Sequence, residues 1–297
     1  MGNSIFRGIA TALITPLNKA KDCVDYESYG RIIDWQIDCG INALVACGTT
    51  GEGPTLSDKE HKEVITFTID RVAGRVPVIA GTGSNDTAYA ASLTKFASAA
   101  GADAMLVVTP YYNKATQRGL VESFSTIADA SEKPIILYNV PSRTGCNIAP
   151  ATCLKLSQHE NIQAIKEASG NISQIVEIST LTHGKLDIYS GNDDQIVPIM
   201  SMGGLGCISV LSNILPAQAC EITDRFFSGD ITGAAELQRK YLALINALFC
   251  EVNPIPVKAA MSAMGLCEDY LRLPLTSMEA DNRARLLNLM REQGLDV

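Results

Sequence analysis

Several features are scarce or missing in this 297-residue sequence, and each absence excludes a class of protein. With only three histidines and no HExxH motif, a histidine-rich metal site is not expected. No apolar run approaches the roughly 20 residues that a membrane-spanning helix needs. The N-terminus has no long apolar core followed by a small-residue cleavage site, so we expect no signal peptide and no membrane partner.

Basic residues are also in deficit: the chain has 24 Lys and Arg but 32 Asp and Glu, which gives a net charge of −8. A chain without a basic stripe is not expected to bind nucleic acid. The nine cysteines are odd in number and contain no CxxC pair. This usage is typical of reduced thiols in a cytoplasmic protein. A hydrophobic fraction of 46% is ample for a large core.

Eight short apolar runs, rich in β-branched residues, recur along the first three quarters of the chain. Near-continuous apolarity is typical of parallel strands that are buried on both faces. The predicted strands span residues 8–15, 42–49, 77–83, 102–110, 134–141, 162–168, 186–191 and 207–213. Their starts lie 21 to 35 residues apart, which leaves room for a helix after each strand.

Amphipathic segments fill the intervals between these strands. Residues 57–72 open with the capping box Ser57-Asp-Lys-Glu60. Residues 86–100 run from an N-cap at Asp86 to the glycine at 101. Eight strands that alternate with helices predict an α/β fold, a (β/α)8 TIM barrel, and a doubly wound sheet is the alternative.

After residue 228 the pattern becomes helical throughout. Three further helices are predicted, at about 231–250, 256–264 and 278–290. The last is preceded by Thr276-Ser-Met-Glu279, a second capping box. We therefore expect a barrel over residues 1–228 and a C-terminal helical extension over residues 229–297.

Polar clusters mark the ends of the predicted strands, where the active site of such a barrel lies. They read CGTTGE (47–52), GTGSND (81–86), TPYYN (109–113), YNVPSRTG (138–145), KEASGN (166–171), SGNDD (190–194) and SVLSN (209–213). Alternation along each strand predicts which side chains face inward. The predicted inward sets are Ile162, Ala164 and Lys166; Ile136 and Tyr138; and Val45, Cys47 and Thr49.

This arrangement predicts a lysine, a tyrosine and a threonine hydroxyl in one pocket. Apolar walls lower the pKa of an amine, so that a neutral lysine can attack a ketone. Tyr138 is placed to shuttle protons as an imine forms. The turn at 48–51, Gly-Thr-Thr-Gly, offers N–H groups and hydroxyls to a carboxylate. Arg143 is suited to gripping a second carboxylate.

Each of these residues also has a purely structural interpretation. Lys166 could pair with a carboxylate such as Glu52, Tyr138 could be a core tyrosine, and Arg143 could be a surface arginine. The TTG sequence could be only a turn.

Three other patterns stay open at this level. Cys47 reads as a small core residue, since a nucleophilic cysteine would need a nearby histidine. GTGSND lacks the third glycine of a dinucleotide loop. Asp193 and Asp194 could bind a metal or simply cap a loop.

Seven segments, in this order and spacing, resemble the dihydrodipicolinate synthase family of pyruvate-dependent class I aldolases, within a superfamily that includes N-acetylneuraminate lyase. The segments are GTTGE, IAGTGSN, VTPYYN, LYNVPSRTG, IKEASGN, SGNDD and NPIPVK. The resemblance covers roughly residues 5 to 276. It implies condensation of pyruvate with L-aspartate 4-semialdehyde toward diaminopimelate and lysine, without a metal or organic cofactor. A pyruvate aldolase or lyase acting on a sugar acid is the alternative function, and a catalytically inactive barrel kept for binding or assembly is a third.

The resemblance also assigns catalytic roles. It implies that Lys166 is the Schiff-base lysine, that Tyr138 is the general acid and base, and that Thr49 relays protons beside it. Tyr112 matches a tyrosine that one subunit lends to its dimer partner. The family is usually a homotetramer, a dimer of dimers, so self-association is implied.

Four further positions match substrate-binding residues of the family. Thr50 matches the threonine that holds the carboxylate of pyruvate. Arg143 matches the arginine that binds the carboxylate of the semialdehyde. Gly191 and Ile208 match positions that flank the pocket.

An allosteric cleft is implied by three matching residues, His61, Asn85 and Tyr111. Members of the family that are inhibited by lysine place His and Glu where this chain has Asp58 and Tyr89. We therefore predict weak or absent feedback inhibition by lysine.

Overall fold

The computed structural model describes residues 4–297 and contains a closed barrel of eight parallel strands. The strands are β1 (Gly8–Ala12), β2 (Ala43–Ala46), β3 (Val78–Gly81), β4 (Ala104–Val108), β5 (Ile135–Asn139), β6 (Ile162–Glu167), β7 (Asp187–Ser190) and β8 (Gly206–Ser209). Each strand pairs with the next in sequence, and β8 pairs with β1 to close the barrel. The (β/α)8 prediction is confirmed, and the doubly wound alternative is wrong.

Helices follow the strands around the outside of the barrel. They are α1 (Tyr26–Asp38), α2 (Asp58–Val72), α3 (Thr87–Ala100), α4 (Gln117–Asp129), α5 (Pro141–Thr144), α6 (Pro150–Leu156), α7 (Ile172–Thr182), α8 (Ile196–Ser201), α9 (Pro216–Phe227), α10 (Ile231–Ala247), α11 (Ile255–Ala263) and α12 (Ala280–Glu292). The four-residue α5, which was not predicted, follows directly after β5. Among the helices of residues 4–297, none combines the length and hydrophobicity needed to cross a bilayer.

The helix termini test the predicted caps. The capping box that begins α2 is confirmed, as are the Asp86 cap and the left-handed Gly101 that bound α3. The second capping box is wrong, because α12 starts after Glu279 and Thr276 lies outside it. The backbone N–H of Glu279 instead donates to the carboxylate of Glu251 at 3.1 Å. A contact with a distant residue therefore replaces the local cap.

Apolar residues fill the barrel in two layers. The inner layer includes small side chains on β6 and its end, Ala164 and Ala168. Phe6, which precedes β1, stacks on Tyr189 with ring centroids 4.1 Å apart. The hydroxyl of Tyr189 donates a hydrogen bond to the backbone carbonyl of Phe6 at 2.7 Å. The interior is therefore filled at the N-terminal end of the strands, and the polar residues collect at the opposite end.

Two of the predicted inward-facing residues belong to the outer layer instead. The register between β5 and β6 shifts next to Ile135, which places Ile162 against the surrounding helices while Ala164 faces inward. Cys47 follows the end of β2 in a left-handed conformation, with a φ of 56°. That backbone turn breaks the alternation and directs Cys47 into the outer layer.

The C-terminal helices share the outer hydrophobic layer with the barrel. Leu244, Met261 and Leu286, from α10, α11 and α12, belong to the same cluster as residues of β1 and β2. Residues 1–3 lie outside the described residues. The division of the chain at residue 228 stays a prediction.

Candidate active site

Lys166 lies near the C-terminal end of β6, opposite Tyr138 on β5 in the strand register. It is 6% exposed, and its Nζ lies 4.3 Å from the centroid of the Tyr138 ring. Within residues 4–297, no carboxylate lies within 4.0 Å of its amine. The interpretation of Lys166 as a partner of Glu52 is wrong, because Glu52 pairs with Lys258.

The carboxylate nearest in sequence, Glu167, is directed away from Lys166. Its oxygens accept from Nδ2 of Asn139 at 3.0 Å and from the backbone N–H of Ser169 at 2.7 Å. Strand alternation places consecutive side chains on opposite faces, which accounts for this arrangement. Lys166 is therefore buried against an aromatic ring without an ionic partner.

A cavity of about 310 Å³ opens above Lys166 and Tyr138. It is lined by both side chains and by residues of α5 and of the surrounding loops, among them Thr49, Thr50, Arg143, Gly191, Asn192 and Asn253. The structure therefore brings together six of the predicted catalytic and substrate-binding residues. The volume of this cavity suits a small ligand, which would leave little of the cavity empty.

The threonine turn, which comprises residues 48–53, forms one wall of this cavity. It folds back on itself through backbone bonds from Gly51 and Gly53 to the carbonyl of Gly48, at 3.1 and 3.3 Å. Thr50 is buried, and its Oγ1 accepts from Nδ2 of Asn253 at 3.0 Å. A compact turn of this kind presents hydroxyls and N–H groups on one side, as a carboxylate requires.

Arg143 lies at the mouth of the cavity, on α5. Its Nη2 donates weakly to the backbone carbonyl of Asn253 at 3.4 Å. The side chain is otherwise exposed, and among the described residues it has no carboxylate partner. Its guanidinium is therefore available to an anionic ligand that enters the cavity.

Gly191 lies against Lys166 at the end of β7. A Cβ atom at this position would lie 2.6 Å from Cβ of Ala168 and 3.1 Å from Cε of Lys166. Its N–H donates to the carbonyl of Glu167 at 2.8 Å, which fixes the backbone there. The absence of a side chain at residue 191 therefore provides the space that the lysine side chain occupies.

Two predicted residues do not line this cavity. Ile208 is fully buried on β8 and belongs to the inner hydrophobic layer below the site. Tyr112 is 92% exposed and adopts a left-handed conformation, with a φ of 68°. A non-glycine residue in that conformation is uncommon.

A second cavity, of about 360 Å³, adjoins the first and shares Thr49, Tyr138 and Arg143 with it. His61 and Tyr111 line this second cavity, whereas Asn85 is not among its lining residues. Nε2–H of His61 donates to the carbonyl of Gly81 at 2.8 Å, and burial lowers the pKa of this imidazole. His61 is therefore held as a neutral donor inside the protein.

The two residues that depart from the lysine-inhibited pattern contact one another. The hydroxyl of Tyr89 donates to Oδ1 of Asp58 at 3.2 Å, and Nζ of Lys62 donates to Oδ2 of the same carboxylate at 2.8 Å. Tyr89 also lines the second cavity. The ring of Tyr89 thus lies at this cavity, and the carboxylate of Asp58 is already paired.

The patterns left open by the sequence have structural explanations. Cys47 is buried, and burial raises the pKa of its thiol, so it is a core residue rather than a nucleophile. Asp193 accepts from the backbone N–H groups of Val210 and Leu211, at 2.9 and 3.0 Å, as a loop cap. Across residues 4–297 there is no group of three His, Cys, Asp or Glu arranged to hold a metal ion.

Asn253 is a site residue that the sequence analysis did not single out. It precedes α11 in the C-terminal extension, is 5% exposed and contacts both Thr50 and Arg143. Among residues 4–297 its buried Oδ1 has no hydrogen-bond partner, and the residue itself lines the cavity. The segment NPIPVK, which begins at Asn253, was the only sequence feature that pointed to this residue. Nothing local in that segment indicates proximity to a residue 203 positions earlier.

A buried lysine that faces a tyrosine at the C-terminal end of a (β/α)8 barrel defines the class of Schiff-base-forming lyases, the class I aldolase type. Within that class the chain belongs to the dihydrodipicolinate synthetase family, an enzyme family whose model matches residues 5–293.

Individual relatives agree with this assignment. The chain is 55% identical over 294 residues to the 4-hydroxy-tetrahydrodipicolinate synthase of Caldicellulosiruptor bescii, covering 99% of each chain. It is similar to the crystal structure of dihydrodipicolinate synthase from Aquifex aeolicus, with a TM-score of 0.96, 44% identity and coverage of 98% and 99%. It also matches the Acinetobacter baumannii enzyme complexed with pyruvate, with a TM-score of 0.95, 43% identity and coverage of 98% and 100%.

The contact between Gly191 and Lys166 generates a prediction. The substitution Gly191→Ala should lower kcat/KM by roughly tenfold, because a Cβ atom 2.6 Å from Cβ of Ala168 and 3.1 Å from Cε of Lys166 forces small shifts beside the lysine, and a misplacement of about 1 Å costs about 100-fold. The yield of the pyruvyl adduct after borohydride reduction should fall as well. The matched control is Gly119→Ala, where a Cβ would meet only ordinary contacts at 3.5 and 3.7 Å. Wild-type activity in Gly191→Ala would show that the lysine tolerates this methyl group.

Proposed function

We propose that this protein condenses pyruvate with L-aspartate 4-semialdehyde to give 4-hydroxy-tetrahydrodipicolinate, in the route to diaminopimelate and lysine. The observation that carries the proposal is the buried amine of Lys166, which has no ionic partner among residues 4–297 and lies over the ring of Tyr138. Family membership supports the choice of reaction. The pyruvate complex of one relative supports the first substrate.

The reaction begins when Nζ of Lys166 attacks the ketone carbon of pyruvate. The carbinolamine that forms loses water to give the imine, and Tyr138 supplies and removes the protons. Thr49 lines the same cavity and is placed to relay protons between Tyr138 and solvent. The carboxylate of pyruvate lies on the hydroxyl of Thr50 and the N–H groups of its turn, which holds the ketone above the lysine.

Removal of a methyl proton converts the imine to the enamine. The enamine carbon attacks the aldehyde of the second substrate and forms the new carbon–carbon bond. The amine of the semialdehyde then adds to the imine carbon and displaces Lys166, which closes the ring as a new imine. One water is released overall, and the enzyme returns to its starting state.

The second substrate carries its own carboxylate, and Arg143 is the residue proposed to bind it. The guanidinium lies at the cavity mouth, above the site where the enamine forms. A planar guanidinium can bind a carboxylate in bidentate fashion and so orient the aldehyde toward the enamine.

The proposed function is tested by turnover of pyruvate with L-aspartate 4-semialdehyde, coupled to reduction of the product. We expect efficient turnover, and borohydride with pyruvate should add one pyruvyl group at Lys166. The variant Lys166→Ala should lose both signals. An adduct without turnover would support imine formation at Lys166 and contradict L-aspartate 4-semialdehyde as the second substrate. Sugar-acid aldehydes would then be assayed.

The role of Arg143 gives a separate prediction. Arg143→Ala should raise the KM for the semialdehyde by about 100-fold, since hydrogen bonds to charged groups contribute about 1.5 to 3 kcal/mol, and should change the KM for pyruvate far less. Steady-state kinetics with each substrate varied in turn measure the difference. Arg118→Ala, an exposed arginine on α4, is the control. Equal losses for both substrates would contradict the assignment.

We also propose that the protein works in the cytoplasm as a homotetramer of two tight dimers. Tyr112 supports this, because a large aromatic side chain that is 92% exposed in a strained conformation is suited to reaching a neighbouring subunit. In the proposed dimer, the hydroxyl of Tyr112 enters the site of the partner and completes its proton relay.

Feedback by lysine should be weak or absent. In the second cavity Tyr89 occupies the place of an acidic side chain, and the carboxylate of Asp58 is engaged by Tyr89 and Lys62. The cavity therefore offers little free negative charge to the two amines of lysine. An inhibition curve should show no half-inhibition below about 1 mM lysine, a concentration that corresponds to a binding free energy of only about −4 kcal/mol. Strong inhibition at lower concentrations would contradict this prediction.

A further inference from the structure

A second buried lysine, Lys258 on α11, lies outside the active-site cavity. Its side chain is completely buried, more deeply than that of Lys166. Its Nζ donates to the carboxylate of Glu52, whose side chain is also without solvent exposure. An ion pair so fully removed from water is costly to form, and removing one partner leaves an uncompensated buried charge.

Glu52 belongs to the same turn as the threonines of the active site. It follows Thr50 by two residues and adopts a left-handed conformation, with a φ of 53°. Its second carboxylate oxygen accepts from the backbone N–H of Arg272 at 3.2 Å. Both partners of this carboxylate thus come from the C-terminal extension. A residue in such a conformation persists only where its surroundings fix it.

Asn253 provides a second connection between the extension and this turn. Its Nδ2 donates to Oγ1 of Thr50 at 3.0 Å. Asn253 lies just before α11 and Lys258 lies within its first four residues, where the N–H of Lys258 donates to the carbonyl of Pro254 at 2.9 Å. One rigid helix end therefore holds the turn at two points, at Thr50 and at Glu52.

We propose that Lys258 is a positioning residue for the binding of pyruvate. It contacts no substrate, since neither Lys258 nor Glu52 lines the cavity. It acts through Glu52, which fixes the turn so that the hydroxyl and N–H groups around Thr50 converge on the carboxylate of the 2-oxo acid. This inference rests on the proposed function, because it takes pyruvate as the ligand of the turn.

The geometry favours an ion pair over a simple packing contact for this task. The turn carries three glycines in the sequence Gly48 to Gly53, and glycine leaves a backbone conformationally free. A buried carboxylate can form its charge-assisted hydrogen bonds in only a narrow range of positions. Pairing Glu52 with Lys258 therefore selects one arrangement of an otherwise adaptable turn.

The decisive variant is Lys258→Met, which keeps the length of the side chain and removes its charge. The unpaired carboxylate of Glu52 should move toward water and displace the turn. We expect the KM for pyruvate to rise by at least about tenfold, because a shift of about 1 Å costs up to about 100-fold. The KM for the semialdehyde should change by less than about twofold, since the variant acts through Glu52 and leaves the contact of Arg143 with Asn253 in place. At saturating pyruvate, the yield of borohydride-trapped adduct should return to that of the wild type.

A double variant separates charge from packing. In Glu52→Gln/Lys258→Met neither side chain is charged, and the amide can still accept from the N–H of Arg272. We expect the double variant to recover both thermal stability and pyruvate KM relative to Lys258→Met. Should Lys258→Met fail to fold, Glu52→Gln alone takes its place, with a smaller increase in the same KM expected.

A control variant excludes general destabilisation. Ile178→Ala removes a fully buried side chain on α7, which packs between α6 and α8, and should lower the melting temperature without changing the pyruvate KM. The proposal is overturned if Lys258→Met loses stability while its pyruvate KM stays within twofold of the wild type. It is also overturned if both KM values rise equally. The adduct assay needs only pyruvate, so it tests this inference even if the semialdehyde proves to be the wrong second substrate.

Discussion

The burial of the Lys166 amine without a carboxylate partner is the constraint on which the rest of the site depends. Strand alternation directs Glu167 to the opposite face, where Asn139 and Ser169 engage its oxygens. Asp193 is held by backbone N–H groups of the next loop. The carboxylates of Glu167 and Asp193 thus bind other groups, and the amine faces a tyrosine ring and an open cavity. That isolation leaves the nitrogen available for covalent chemistry.

The space for this lysine is made by small neighbours and by the extension. Gly191 lies directly against Lys166. A methyl group added at residue 191 would come too close to both Ala168 and Lys166. On the other side of the cavity Asn253 connects the threonine turn to the arginine at the mouth. The groups proposed to bind carboxylates, Thr50 and Arg143, therefore lie on the threonine turn and on α5, and Asn253 contacts both. In the proposed mechanism the barrel supplies the nucleophile, and the C-terminal extension helps to fix the positions of the carboxylate-binding groups.

Much of this could be predicted from the sequence, and the exceptions have physical reasons. The eight strands follow from near-continuous apolar runs, and the proximity of Lys166 to Tyr138 follows from period-two alternation on neighbouring strands. Alternation failed for Ile162 and Cys47, where a register shift and a left-handed residue interrupt the strands. The capping box predicted for α12 was wrong because the N–H of Glu279 binds Glu251, which lies 28 residues earlier in the sequence. The partners of Lys258 and Asn253 lie more than 200 residues away, and no local pattern encodes such contacts.

The position of Lys258 and Asn253 near the end of the chain has a consequence for synthesis on the ribosome. The nucleophile and its tyrosine emerge in the first two thirds of the polypeptide, and the residues that steady the threonine turn emerge last. A nascent chain that ends with the last barrel strand therefore lacks the side chains that bind Thr50 and Glu52. The bonds that the turn receives from the extension form only after nearly the whole chain has been synthesised.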